Sequence, residues 1–103
     1  MAKNGKAIKV KSFSELSAEQ KGSIAVWLYE IYRAFYIDTE LLPAETEQHE
    51  EIIKRFAMKI KENRIDIPDK QIRLYYNSKQ NSMIKRLKKE FPDMLCEKYY
   101  TVD

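Results

Sequence analysis

A chain of 103 residues is the length of one domain, long enough for a single modest core and too short for two. Its 44% hydrophobic and 34% charged residues, with a formal net charge of +3, exclude a disordered composition. Two glycines and three prolines argue against an all-β fold with its many tight turns, and a single cysteine, Cys96, excludes an internal disulfide or a zinc site with two thiolates.

Residues 1–12 read as a basic, flexible arm in which Ala7 to Val10 supplies one short extended piece. The arm has cations but no apolar run behind them, so no secretory signal is expected. A single helical domain then covers 13–103. Its first helix is expected over 18–37, started by Ser17 and Gln20 at capping-box spacing. Ile24, Trp27, Leu28, Ile31 and Phe35 form one apolar stripe on it, and Tyr29, Tyr32 and Tyr36 widen that stripe. The run Ser23 to Ile37 is shorter than a membrane span and contains Glu30 and Arg33, so it reads as a core helix.

Leu41 to Pro43 break the pattern before a second helix over 45–63, with Ile52, Ile53, Phe56 and Ile60 inside and Asn63 as terminator. Ile65 to Pro68 make a connector, and Pro68 opens a short third helix, 68–76, that buries Ile72 with Tyr75 or Tyr76. Asn77 and Ser78 read as a turn before a fourth helix, 79–90, which Pro92 stops. The remaining tail, from Met94 to Asp103, is a short appendage that packs as a helix or lies as a strand against Ala7 to Val10. The expected fold is thus an all-α, single-domain bundle of about four helices.

Charge is distributed unevenly along this plan. Residues 38–51 hold six acids and no Lys or Arg, whereas 70–89 hold seven cations and no acid. On the fourth helix Met83, Ile84, Leu87 and Phe91 share the inner arc, and Lys79, Lys85, Arg86, Lys88 and Lys89 occupy the rest. Such a helix sits on the domain by its apolar stripe and still presents cations to a phosphate backbone. Gln80 and Asn81 are residue types that hydrogen-bond base edges. The expected nucleic-acid-binding set, for DNA or RNA, is therefore Arg73, Lys79, Gln80, Asn81, Lys85, Arg86, Lys88 and Lys89, with help from the lysines of the arm.

Two short helices joined at Asn77 raise the question of a helix-turn-helix motif. Ile72, Tyr76 and Met83 suit its apolar positions, but Arg73, Ser78 and Arg86 stand where small or apolar residues belong. The match is poor. Tyr75, Tyr76, Tyr99 and Tyr100 beside the cations raise base stacking, against the commoner role of tyrosine as a core residue with a wet hydroxyl.

The rival reading is a protein-interaction module, an adaptor or inhibitor, using the same basic helix or the acidic ridge of Asp38, Glu40, Glu45, Glu47, Glu50 and Glu51. An ion-pairing role for both ridges within the fold is the plain structural alternative. Catalysis has little support. His49 begins "HEEII", which lacks the second histidine of a zinc-protease helix, no glycine-rich phosphate loop is present, and no local signature accompanies a His49 and Cys96 pair. No catalytic residue, metal site or cofactor is assigned. The expectation is a non-enzymatic, cytoplasmic accessory or regulatory factor with no membrane role, monomeric or a two-fold dimer.

Overall fold

The computed structural model describes residues 8–92. Three helices make up the body: α1 (Ala18–Thr39), α2 (Thr46–Glu62) and α3 (Asp69–Glu90). Two short strands, β1 (Ile8–Lys9) and β2 (Ile65–Asp66), pair in parallel with Ile8 opposite Ile65 and Lys9 opposite Asp66. The ladder is closed by Ile8 N–H donating to Arg64 O at 2.8 Å and Val10 N–H donating to Asp66 O at 3.1 Å. The all-α class holds, with three helices in place of four among the described residues.

The expected capping box starts α1. Ser17 Oγ accepts from Gln20 N–H at 3.1 Å, and Gln20 Oε1 accepts from Ser17 N–H at 2.9 Å, so two amides that the helix cannot satisfy are paired. The helix runs two residues beyond the expected end. Thr39 Oγ1 donates to Phe35 O, and Glu40 then takes a left-handed conformation, φ 60°, whose N–H closes on Tyr36 O. At the start of α2, Gln48 Oε1 accepts from the amides of Ala44 and Glu45. At its end the left-handed residue is Arg64, φ 61°, one position past the expected terminator. Asn63 instead turns its Nδ2 onto Lys59 O at 2.8 Å, which satisfies a carbonyl of the last turn.

The main departure lies at Asn77 and Ser78, where the expected turn is absent and α3 continues unbroken for 22 residues. Both residues are absorbed into the helix. Ser78 Oγ donates to Tyr75 O at 2.8 Å, a back-bond within the helix, and Gln80 Nε2 lies 3.4 Å from Asn77 Oδ1. Ile72, Tyr76, Met83 and Leu87 are all buried on one side, so a single apolar stripe spans the whole element. With no turn between two helices, the helix-turn-helix arrangement is excluded for these residues.

The core lies where the three helices meet. Ile24, Leu28, Tyr32 and Tyr36 of α1 pack with Ile52, Phe56 and Ile60 of α2 and with Tyr76 and Leu87 of α3, all essentially inaccessible. Each fully buried aliphatic or aromatic side chain of this kind is worth about 1.5–3 kcal/mol. Leu16, Ile65 and Ile67 close the end of the core nearest the strands. Phe13, in a single 3-10 turn over Phe13–Glu15, stacks on Tyr75 with ring centroids 4.3 Å apart and fastens the N-terminal segment to α3. Residues 1–7, and the tail with Cys96, Tyr99 and Tyr100, lie outside the described residues, as does the expected pairing of that tail with Ala7 to Val10.

Candidate nucleic-acid interface

Because α3 is one helix, about 33 Å long at 1.5 Å per residue, its outward face is a single surface. At roughly 100° per residue, Lys70, Leu74, Asn77, Ser78, Asn81, Lys85, Lys88 and Lys89 fall within an arc of about 120° opposite the buried stripe. All of them are exposed except Lys88, which is half-buried and engaged with neighbouring groups. Among the described residues, Lys70, Lys85 and Lys89 form no ion pair. No carboxylate lies between Lys70 and Lys89.

The carboxylates at the flanks of α3 are Glu50 of α2 and the helix's own terminal residues Asp69 and Glu90, and each is engaged. On the α2 side, Arg73 donates from both terminal nitrogens to Glu50, with Nη2 to Oε1 at 2.8 Å, and from Nε to Asp69 Oδ2 at 2.6 Å. The Arg73 hydrogen bond holds the Glu50 carboxyl below its ordinary value, and the two carboxylates raise the arginine. On the α1 side, Glu90 accepts from Tyr29 Oη at 2.7 Å and from Arg33 Nε at 2.9 Å. Those bonds, the tyrosine's first and then the arginine's, lower the Glu90 carboxyl. Burial, reinforced by Glu90, pushes the Tyr29 phenol up to about 12.

These contacts divide the expected site residues. Asn81, Lys85 and Lys89 point outward together. Arg73 is committed to Glu50 and Asp69. Lys79 lies over the Tyr75 ring, 5.4 Å from its centroid, and Arg86 stacks on Tyr29 at 3.9 Å, so both cations line the flank facing α1. Gln80 is half-buried beside Asn77. Lys70, Leu74 and Asn77 join the outward face without having been singled out from the sequence. The signal for them was the heptad-like continuation of Ile72 and Tyr76 into Met83 and Leu87, which places them on the same side as Lys85.

Glu50 joins the acidic ridge to α3 through Arg73. Glu51 pairs within its own helix, with Arg55 Nε at 2.9 Å, and Asp38, Glu45 and Glu47 are exposed. Glu40 caps α1 and is engaged with neighbours. Beside the ridge, Glu47, Glu50, Glu51, Ile53, Ala57 and Met58 line part of an open groove of about 520 Å³. His49 turns away from these acids, its Nδ1 lying 2.7 Å from the Tyr76 hydroxyl. Burial, then the neighbouring Tyr32, raises the Tyr76 phenol. Among the described residues no group of three His, Cys, Asp or Glu side chains is placed to hold a metal.

Neither tyrosine of the Tyr75–Tyr76 pair offers a free face for stacking. Tyr76 is inaccessible, and the Tyr75 ring is engaged by Phe13, Phe56 and Lys79. No described helix is long and apolar enough to cross a membrane. Comparison with protein-family models, with curated proteins and with solved structures returned no match to this chain.

Proposed function

We propose that this protein is a non-enzymatic nucleic-acid-binding module, an accessory or regulatory factor, that grips the phosphate backbone with the outward face of α3. The observation that carries this reading is the acid-free face itself: Lys70, Lys85 and Lys89 stand on one uninterrupted helix while the neighbouring carboxylates are held on its flanks by Arg73, Arg33 and Tyr29. Ion pairing within the fold accounts for Arg73 and, among the described residues, leaves Lys70, Lys85 and Lys89 without a carboxylate partner. Phosphate contacts by such cations release counterions, so affinity falls steeply with salt, with log K dropping by roughly 0.9 per phosphate neutralised for each tenfold rise in salt on duplex DNA. Binding of labelled duplex and single-stranded oligonucleotides across a salt series tests the reading. The expected result is a steep salt slope that a Lys85→Glu, Lys89→Glu double variant flattens and weakens. Failure of the wild-type protein to bind any strand form at low salt overturns it.

A second reading, a protein-interaction module working through the acidic ridge, draws support from the groove beside Glu47, Glu50 and Glu51, whose wall includes Met58 at 53% exposure. Its test is capture from nuclease-treated host lysate followed by identification of a stoichiometric partner. Loss of capture on Glu47→Lys supports the ridge, and undiminished capture removes it.

A further inference from the structure

We propose that α3 enters the major groove of B-form DNA and reads base pairs there with Asn81 and Leu74, while Lys70 and Lys85 hold the phosphates where the helix leaves the groove. The inference rests on the nucleic-acid reading above and narrows it to one form of nucleic acid and one mode of contact.

The first argument is the order of residue types along the outward face. Leu74, Asn77, Ser78 and Asn81 occupy its middle, over about 10 Å of helix axis, and the major groove is about 12 Å wide. Lys70 stands one turn before this segment and Lys85 one turn after it, about 22 Å apart along the axis. Cations at both ends of a short neutral segment match a helix whose centre faces bases and whose ends meet the backbone walls. A helix that only tracked phosphates would gain from cations at the centre as well.

The second argument is which polar groups folding leaves unused. The Ser78 and Ser82 hydroxyls donate to carbonyls of their own helix, and Gln80 lies against Asn77. Asn81 is exposed and makes no hydrogen bond with a described residue. A carboxamide in that position can pair in bidentate fashion with adenine N6 and N7. Leu74, 53% exposed in the middle of a lysine-flanked face, supplies the apolar contact that suits a thymine methyl. The A-form major groove of duplex RNA is deep and narrow, so the same helix has no entry there.

Selection from a random-core duplex DNA pool tests the proposal, followed by anisotropy titrations of the selected duplex, a scrambled duplex and duplex RNA of the selected sequence. The expected result is enrichment of A·T pairs in the core, weak binding of duplex RNA, and discrimination between selected and scrambled DNA that Asn81→Ala reduces by about tenfold. Affinity of that variant for scrambled DNA falls by less than its affinity for the selected duplex, and its thermal midpoint matches wild type because the side chain is exposed. No enrichment, equal loss on both duplexes, or duplex RNA bound as tightly as DNA overturns major-groove reading. Any of these, accompanied by salt-dependent binding that Lys85→Glu, Lys89→Glu abolishes, leaves the phosphate-binding function standing. Absence of all nucleic-acid binding removes both.

Discussion

Arg73 grips Glu50 through both terminal guanidinium nitrogens and Asp69 through Nε, so one arginine of α3 is bound to two carboxylates of the fold. This is the point where the acidic and basic halves of the sequence meet. Arg73→Gln should therefore lower nucleic-acid affinity less than Lys85→Gln does, since Arg73 would have to abandon both partners to reach a phosphate. Anisotropy titrations of the two variants at one salt concentration check this, and equal losses would count against the division of cations described above.

Glu50 of α2 and Glu90 of α3 each contribute to the acid limb of stability. Glu50 and Glu90 both sit below the ordinary glutamate value of 4.5 in the folded state, by hydrogen bonds from Arg73 and from Tyr29 and Arg33 respectively. Depressed folded values mean that their contribution is complete above 4.5 and disappears as pH falls through the lowered values. At the other end, the Tyr29 phenol, raised to about 12 from 10.0, gives a contribution that is complete below 10 and lost as pH rises toward 12. Denaturation midpoints measured against pH should show both limbs. In Glu90→Gln the acid limb should be shallower, with the difference from wild type vanishing at low pH.

Two buried phenols make opposite predictions. The Tyr36 hydroxyl is buried with no hydrogen-bond partner among the described residues, whereas that of Tyr76 meets His49. Removing an unpaired buried hydroxyl eliminates a desolvation cost, so Tyr36→Phe should leave stability unchanged or raise it. Tyr76→Phe should cost about 1–2 kcal/mol by leaving the imidazole nitrogen without its partner. Urea denaturation of the two variants measures both, and a large loss in Tyr36→Phe would show that its hydroxyl is satisfied after all.

Ser78→Pro distinguishes one long helix from two short ones. In a turn, proline at this position would be tolerated. In the middle of α3 it removes the bond to Leu74 O and clashes with that turn, at a cost of about 3 kcal/mol or more. A variant as stable as wild type, by thermal or chemical unfolding, would contradict the continuous helix.

That continuity also explains what the sequence concealed. Ser17 and Gln20 announced the start of α1 because both halves of a capping box are adjacent in the chain. Asn77 and Ser78 look like a turn for an equally local reason, since both residue types compete for backbone hydrogen bonds. Their intrinsic penalty in a helix is only tenths of a kcal/mol, and the buried stripe of Ile72, Tyr76, Met83 and Leu87 outweighs it. Lys85 and Lys89 were legible as outward cations from the wheel of one short helix. Lys70 and Leu74 became their neighbours only once the two segments shared an axis. The partner of Arg86 is Tyr29 of α1, which no spacing within α3 encodes, whereas Lys79 and Tyr75 stand four residues apart on α3, a spacing that brings side chains together.

The parallel pairing of Ile8 with Ile65 carries a kinetic meaning. It joins residues from the start of the chain to the connector between α2 and α3, so nearly the whole of two helices must be in place before it can close. Only two residues on each side take part, and Ile8 and Lys9 are exposed. The clasp should therefore be the last part of the fold to form and the first to open, with the amides of Ile8 and Val10 exchanging with solvent deuterium well ahead of those buried in the helices.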